Sequence, residues 1–494
     1  MSENLVLYAV DFSPFVEAVE LALFEAKGKY TKHIIPLGDK KPAWYAEKVN
    51  PSGKVPAITY GGQAVSPDQP SPESFKLAES TVILEFIADL YPDSTLYPKD
   101  VKLRASARFF VYKIVDTVLP AFIGPMFKKE PTDRIIKAFE EMQALMDPDH
   151  SKLIVGDEFT IADAAFIPVA WRIDVFLKND VGSYPVGDGL KVYKAFAEGP
   201  QFARFRAYLA TVKARPSFQK FMPTELLKVD PGTRLVPKPP GDFARMTETP
   251  ENLVLYAADF SPFVEAVELA LIEVKQEYTK HVIPMGVKKP IWYIEKVNPA
   301  GKVPAITYGG PSVSPDQPSP EAYKLAESTV ILEFIADLHP ESTLLPTDPK
   351  LRASVRFFIY RFGEVIRSAL HGPIVKQEPA EVLLDGFEKI QALMQPGNDD
   401  FVVGTDFTIA DAILIPFVWR LDVWLKNDIG SYPLGDGIKA HKVFAEDPKF
   451  AHLRAYFAKA KTRPPFQQIV IKEDGLVKDS LKFNSLRAAN VVQL

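Results

Sequence analysis

The chain has 494 residues, 47% of them hydrophobic and 24% charged, with a net charge of −5 from 58 basic and 63 acidic side chains. That length suggests roughly three or four domains with ample apolar material for packed cores, and the near-balanced charge gives no electrostatic case for nucleic acid or an anionic membrane. Cysteine is missing altogether, which excludes disulfides, thiolate metal sites, iron–sulfur clusters and a cysteine nucleophile.

Met1-Ser2-Glu3-Asn4 lacks the basic flank of a signal peptide, and no uninterrupted apolar run of 18 residues is evident. The expectation is a soluble, cytoplasmic protein. Leu5 to Phe12 is apolar and β-rich, which predicts a buried strand. Ser13-Pro14 pairs an N-cap with proline at the first helical position, and Phe15, Val19, Ala22, Leu23 and Ala26 then recur at helical spacing to about Lys27. Tyr30 to Ile35 reads as a second strand and Val55 to Tyr60 as a third, closed by Gly61-Gly62. Val55-Pro56 is a place where a cis peptide can sit. Residues 66–73, Ser-Pro-Asp-Gln-Pro-Ser-Pro-Glu, predict a loop, Ser74 to Ala78 a short strand, and Thr81 to Leu90 a helix. Beyond Pro98 helical patterns cover 102–119, 132–147, 161–178 and 201–214, with no strand.

This whole pattern is then written again. Asn4-Leu5-Val6-Leu7-Tyr8 recurs as Asn252-Leu253-Val254-Leu255-Tyr256, and Gly53-Lys54-Val55-Pro56 as Gly301-Lys302-Val303-Pro304. Phe159-Thr160-Ile161-Ala162-Asp163 returns as Phe407 to Asp411, at the same displacement of 248 residues. A period this long is a duplicated protein, not a solenoid repeat. The predicted domains are an α/β domain at 1–97 and an all-helical domain at 98–225, a Pro-rich linker at 226–251, a second α/β domain at 252–345, a second helical domain at 346–474, and a tail at 475–494 without a counterpart. Met246 precedes the second copy as Met1 precedes the first, either as a relic of a separate start or by chance.

A βαβ–ββα half followed by a helical half resembles the cytosolic glutathione transferases, whose front domain is thioredoxin-like. The motifs narrow the likeness. Asn50 to Ala57 resembles the family's cis-proline segment, Glu79-Ser80 its Glu-Ser pair, and Thr160 to Asp163 its N-capping box. Lys41-Pro42-Ala43-Trp44 and Lys289-Pro290-Ile291-Trp292 are similar to a lysine segment that helps hold glutathione. The loop before Glu79 resembles that of fungal omega-class-like transferases. That class carries Cys-Pro-Phe at the head of the first helix, where this chain has Ser13-Pro14-Phe15 and Ser261-Pro262-Phe263, as serine-type tau transferases do. Glu17-Ala18 departs from both classes, which commonly place an arginine there.

The resemblance implies a glutathione transferase fold twice over, with glutathione as co-substrate and no metal. A hydroxyl donating to sulfur at the positive end of a helix favours the thiolate, which is the nucleophile. Ser13 and Ser261 are the residues for that role, against the plainer reading that both are N-caps. Glu79 and Ser80, with Glu327 and Ser328, would take the γ-glutamyl end; Val55 and Val303 would pair through their backbone with the cysteinyl part; Lys41, Lys54, Lys289 and Lys302 would face the glycyl carboxylate. Thr160 and Asp163 read as structural caps. The seven histidines, His33, His150, His281, His339, His371, His441 and His452, show no ligand spacing, and Trp171 and Trp419 read as core. Serine cannot form the mixed disulfide that thiol transfer needs, so conjugation of electrophilic or hydrophobic small molecules, or peroxide-type transferase activity, is expected in place of thiol-transferase activity. The copies diverge most at 113–130 against 361–378, on the side where the family binds its acceptor, so two sites with different acceptors are expected. Because the family pairs subunits, the two halves are expected to form an internal pseudo-dimer. The alternatives are a ligandin-type binding protein without catalysis and a purely structural duplicate.

Overall fold

The computed structural model describes residues 4–36, 41–63, 66–146, 153–222, 252–258, 261–284, 289–311, 313–369, 373–374, 378–394, 400–469, 473–478 and 480. The expected linker, with Met246, and most of the expected tail lie outside these residues. The chain divides into two compact units, Met1–Met246 and Thr247–Leu494.

Unit 1 begins β1 (Leu5–Ala9), α1 (Pro14–Glu25), β2 (Thr31–Ile34), α2 (Ala43–Lys48), β3 (Ala57–Tyr60), β4 (Phe75–Ala78) and α3 (Ser80–Leu90). The four strands form one sheet in the order β2-β1-β3-β4. β1 runs parallel to β2 and antiparallel to β3, and β3 is antiparallel to β4. β1 is central and buried at all five positions, which is why it reads as a continuous apolar run instead of an alternating one. α1 and α3 close the layer with Val19, Leu21 and Leu23 from one and Ile83, Phe86 and Ile87 from the other, all fully buried. Apart from α2, the expected βαβ–ββα order holds. The strand expected over Leu5 to Phe12 is shorter, because the chain turns after Ala9, and the six-residue α2 was not anticipated.

The helical half holds α4 (Val101–Lys113), a π-helical turn (Ile114–Val118), α5 (Leu119–Phe127), α6 (Asp133–Leu145), α7 (Ile161–Lys178), α8 (Asp188–Glu198), α9 (Ala203–Lys213) and α10 (Pro216–Phe221). α7 is the central helix. It opens with a complete capping box, in which Thr160 accepts from Ala162 N and Asp163 accepts from Thr160 N at 2.9 Å. Asp163 also accepts from the Ile154 amide at 3.2 Å, and its full burial pushes its carboxyl up to about 6. The helical run Val101–Phe127 has the length and mean hydropathy of a membrane span, but Lys113 and Asp116 interrupt it and half of its most apolar stretch is buried inside the unit, as in a core helix.

Unit 2 repeats the sheet, with strands Leu253–Ala257, Thr279–Val282, Ala305–Tyr308 and Tyr323–Ala326 in the same order. Its counterpart of α4 runs without interruption from Pro349 to Ala369. The start of the expected tail is docked: Leu476 is fully buried and the Trp424 indole donates to the Ser480 hydroxyl at 2.8 Å.

Candidate active site

The sheet register assembles the site. Tyr8 lies opposite Ala57, and Ala57 opposite Ala78, so these three form one row near one end of the sheet. The segments continuing beyond that row carry Ser13 after β1, Val55 before β3, and Glu79-Ser80 after β4. Residues 66 apart in sequence are thereby brought to one sheet end. In unit 2 the row is Tyr256, Ala305 and Ala326, followed by Ser261, Val303 and Glu327-Ser328.

Ser13 is the N-cap of α1. Its backbone is extended, with φ −84° and ψ 120°, and its Oγ accepts from the Val16 amide at a long 3.4 Å. Ser261 does the same toward Val264, also at 3.4 Å. Accepting through a lone pair leaves the hydroxyl proton available for donation, so the capping and the sulfur-facing roles are compatible. Pro14 has no N–H, and the amides of the first turn give this end of α1 its partial positive charge.

The turn before Ser13 is held from the helical half. Phe12 has φ 66°, a left-handed conformation that a bulky residue adopts only under constraint. Arg172 on α7 supplies that constraint. Its Nη2 donates to the Phe12 carbonyl at 2.6 Å, while its two η-nitrogens donate to both carboxylate oxygens of Glu17 at 2.6 and 2.7 Å. Glu17 and Arg172 are both buried. Burial pushes the Glu17 carboxyl up, and the Arg172 contact pulls it back. Arg420 grips Glu265 in the same two-pronged way at 2.6 and 2.9 Å. Where the resembling classes commonly carry an arginine on α1, this chain has Glu17, and Arg172 from the helical domain pairs with it. Sequence reasoning missed Arg172; the retention of both pairs in both copies was the available signal.

The peptide bonds Val55-Pro56 and Val303-Pro304 are cis. The Lys54 carbonyl just ahead accepts from Tyr45 Oη at 2.7 Å and from Asn50 Nδ2 at 2.8 Å. In unit 2 Tyr293 and Asn298 hold the Lys302 carbonyl at 2.6 and 2.8 Å. The lysines separate into two kinds. Lys54 and Lys302 have exposed side chains. Lys41 donates to the Gly53 carbonyl at 2.6 Å, bracing the same loop, whereas Lys289 donates to the Pro284 carbonyl at 2.6 Å. Burial lowers the Lys289 ammonium pKa.

Glu79 has φ 72° and ψ 112°, and Glu327 has φ 72° and ψ 114°. Glu79 is thus a second positive-φ non-glycine residue at the site of unit 1, beside Phe12, and both glutamates are placed so that the following serine opens a helix. Both Glu79 and Ser80 are half-buried. Strained backbone of this kind clusters at functional sites and is not readable from residue type. Among the described residues, no group of three or more His, Asp or Glu could hold a metal ion.

Comparison with known proteins identifies the family. The family model described as "Glutathione S-transferase, N-terminal domain" matches residues 7–95 and again 255–343, and "Glutathione S-transferase, C-terminal domain" matches 378–459. A probable glutathione S-transferase of Glycine max is 30% identical over 35% of this chain and 73% of its own length. Glutathione S-transferase L1 of Arabidopsis thaliana is 28% identical over 35% of this chain, a match spanning 65% of that relative. Among solved structures, glutathione transferase Omega 1C from Trametes versicolor is 43% identical, covering 44% of this chain and 91% of that one, with a TM-score of 0.42. The chain therefore belongs to the glutathione S-transferase family, whose N-terminal domain it carries twice.

Proposed function

We propose that each unit binds one glutathione and favours its thiolate through a serine hydroxyl, Ser13 in unit 1 and Ser261 in unit 2, for conjugation to electrophilic or hydrophobic small molecules. The observation that carries this reading is the sheet register, which brings an N-cap serine, a cis-proline loop and a Glu-Ser pair to one end of each sheet. The thiol of glutathione is mostly protonated at neutral pH, and the thiolate attacks. Donation from Ser13 Oγ and the positive end of α1 both favour the ionised sulfur. The Glu79 carboxylate suits the α-amino group of the γ-glutamyl end, and the helix start at Ser80 suits its carboxylate. The backbone of Val55 offers strand-like pairing to the cysteinyl part. Lys54 and Lys302 are the freer cations for the glycyl carboxylate, since Lys41 already donates to Gly53; Lys289, with Glu327, Ser328 and Val303, completes the second set.

Pairing of the two units as subunits within one chain, and a cytoplasmic setting, follow from the family resemblance; light scattering should return the mass of a single chain. With no cysteine in the chain, thiol-transferase activity is not part of this reading. The test is conjugation of an aryl halide by Ser13→Ala, Ser261→Ala and the double variant. The double variant should lose about 10²-fold in kcat, the usual consequence of removing one preorganised donor, with glutathione still bound by calorimetry. Full activity in the double variant would sink the serine mechanism, and no activity in any form would favour a ligandin-type binding protein.

A further inference from the structure

We propose that the two sites take different classes of electrophile, planar aromatic acceptors in unit 2 and flexible aliphatic ones in unit 1. The difference arises from the side chains that back the first turn of each serine helix. This rests on the glutathione reading above and deepens it.

In unit 2, Phe263 stands two residues after Ser261 and is 41% exposed. Its ring packs edge-to-face on Phe417, centroids 5.1 Å apart. Phe417 meets Phe362 edge-to-face at 5.4 Å, and Phe362 stacks on Phe358 at 5.9 Å. Four rings therefore run from the core to the exposed Phe263 beside the serine. Phe417 lies one turn before Arg420, the residue that grips Glu265 on the serine helix, which fixes the wall to the site.

In unit 1 the aromatic residues at the equivalent positions are redistributed. Phe15 is similarly exposed, at 39%, but Val169 stands where unit 2 has Phe417, and Ile114 where it has Phe362. Both are buried. Among the described residues Phe15 has no ring partner. The rings of this unit gather in the interior instead: Phe110 meets Phe166 at 5.2 Å, and Phe166 meets Phe205 at 5.5 Å. Leu414 and Leu453 occupy the latter two positions in unit 2. The next residue along the acceptor helix differs in the opposite sense. Val115 in unit 1 is 40% exposed, whereas Gly363 replaces it in unit 2, where an added Cβ would meet nothing within 4 Å.

Unit 2 thus offers a ring held edge-on by other rings, with open space next to Phe362. Aromatic pairs of this geometry reward a further flat ring beyond simple burial, and aliphatic side chains do not. Unit 1 offers the exposed Val115 and a Phe15 ring backed by no other ring among the described residues, over a buried aliphatic layer of Val169 and Ile114, to a flexible chain. With an aryl halide, the thiolate forms the carbon–sulfur bond, halide leaves with its electron pair, and the thiol proton goes to solvent. With a 2-alkenal, sulfur adds to the β-carbon and a solvent proton completes the α-carbon.

The experiment uses the full chain, glutathione, and two probes: 1-chloro-2,4-dinitrobenzene and trans-2-nonenal. Ser261→Ala leaves unit 1 with its serine, and Ser13→Ala leaves unit 2. The aryl-to-alkenal ratio of kcat/KM should be at least tenfold higher in Ser13→Ala. On that background Phe417→Leu should lower the ratio several-fold at unchanged KM for glutathione. Phe263→Leu, at an exposed position where folding is not in question, should do likewise. Equal ratios in the two serine variants overturn the proposal, as does an unchanged ratio in both phenylalanine variants. Absence of glutathione binding to the unmutated chain would instead remove the reading beneath it.

Discussion

At the scale of single residues, the serine was legible and its support was not. Ser-Pro at a helix start is a local rule, since an N-cap acceptor is followed by a residue that needs no N–H partner. Arg172 answers to no local rule, because its partner Glu17 is 155 residues away. Its guanidinium holds a buried carboxylate, the Phe12 carbonyl and the Pro168 carbonyl at once. Removing one partner of such a pair leaves an uncompensated buried charge, which typically costs about 3–5 kcal/mol. Arg172→Met should therefore destabilise unit 1 by that amount in urea unfolding. Glu17→Gln combined with Arg172→Met should recover most of the loss, because no charge is then stranded. Equal losses in the single and double variants would show that the pair is not coupled. The left-handed residues Phe12, Glu79 and Glu327 were equally unreadable, since nothing about phenylalanine or glutamate forecasts a positive φ.

At the scale of elements, α1, α3, α6 and α7 were read where they lie, and α2, α5 and α8 were not. Ile161–Lys178 matches the expected span because its capping box and 18 residues leave little choice. α2 has six residues, too few for a period to emerge. α5 carries Pro120, Gly124 and Pro125, which read as breakers. The same Pro120 accounts for the π-helical turn. It has no N–H to offer the carbonyl of Asp116 four residues back, and the neighbouring Leu119 amide donates instead to Ile114, five residues back. Unit 2 has Ser368 at that position, and its helix stays α-helical from Pro349 to Ala369. Proline in a helix interior costs about 3 kcal/mol relative to alanine. Pro120→Ala should let the turn relax toward an α-helix and raise the stability of unit 1 by about 1–3 kcal/mol in urea unfolding. A loss of stability would mean that the wider turn is required by the packing of Ile114 and Val118, both buried.

At the scale of the whole molecule, duplication has consequences that neither copy has alone. Each unit carries its own serine, cis-proline loop and Glu-Ser pair, so neither sequence nor register assigns one copy a merely structural part. The prior expectation of four domains followed from the displacement of 248 residues; the number of working sites does not follow from it, because fold can outlast function in a duplicate. Ligand binding to the folded state separates the cases. At a glutathione concentration 100 times Kd, a unit with an intact site gains about 2.7 kcal/mol. For domains of this size that moves the midpoint by roughly 5–10 °C. Scanning calorimetry of the full chain should therefore show the entire unfolding heat moving upward. If about half of the heat stayed in place, one unit would have kept the fold and lost the ligand. Ser13→Ala with Ser261→Ala should leave the shift nearly intact. In the proposed reading the serines act on the sulfur, whereas Glu79, Glu327 and the two valine loops act on the rest of the tripeptide.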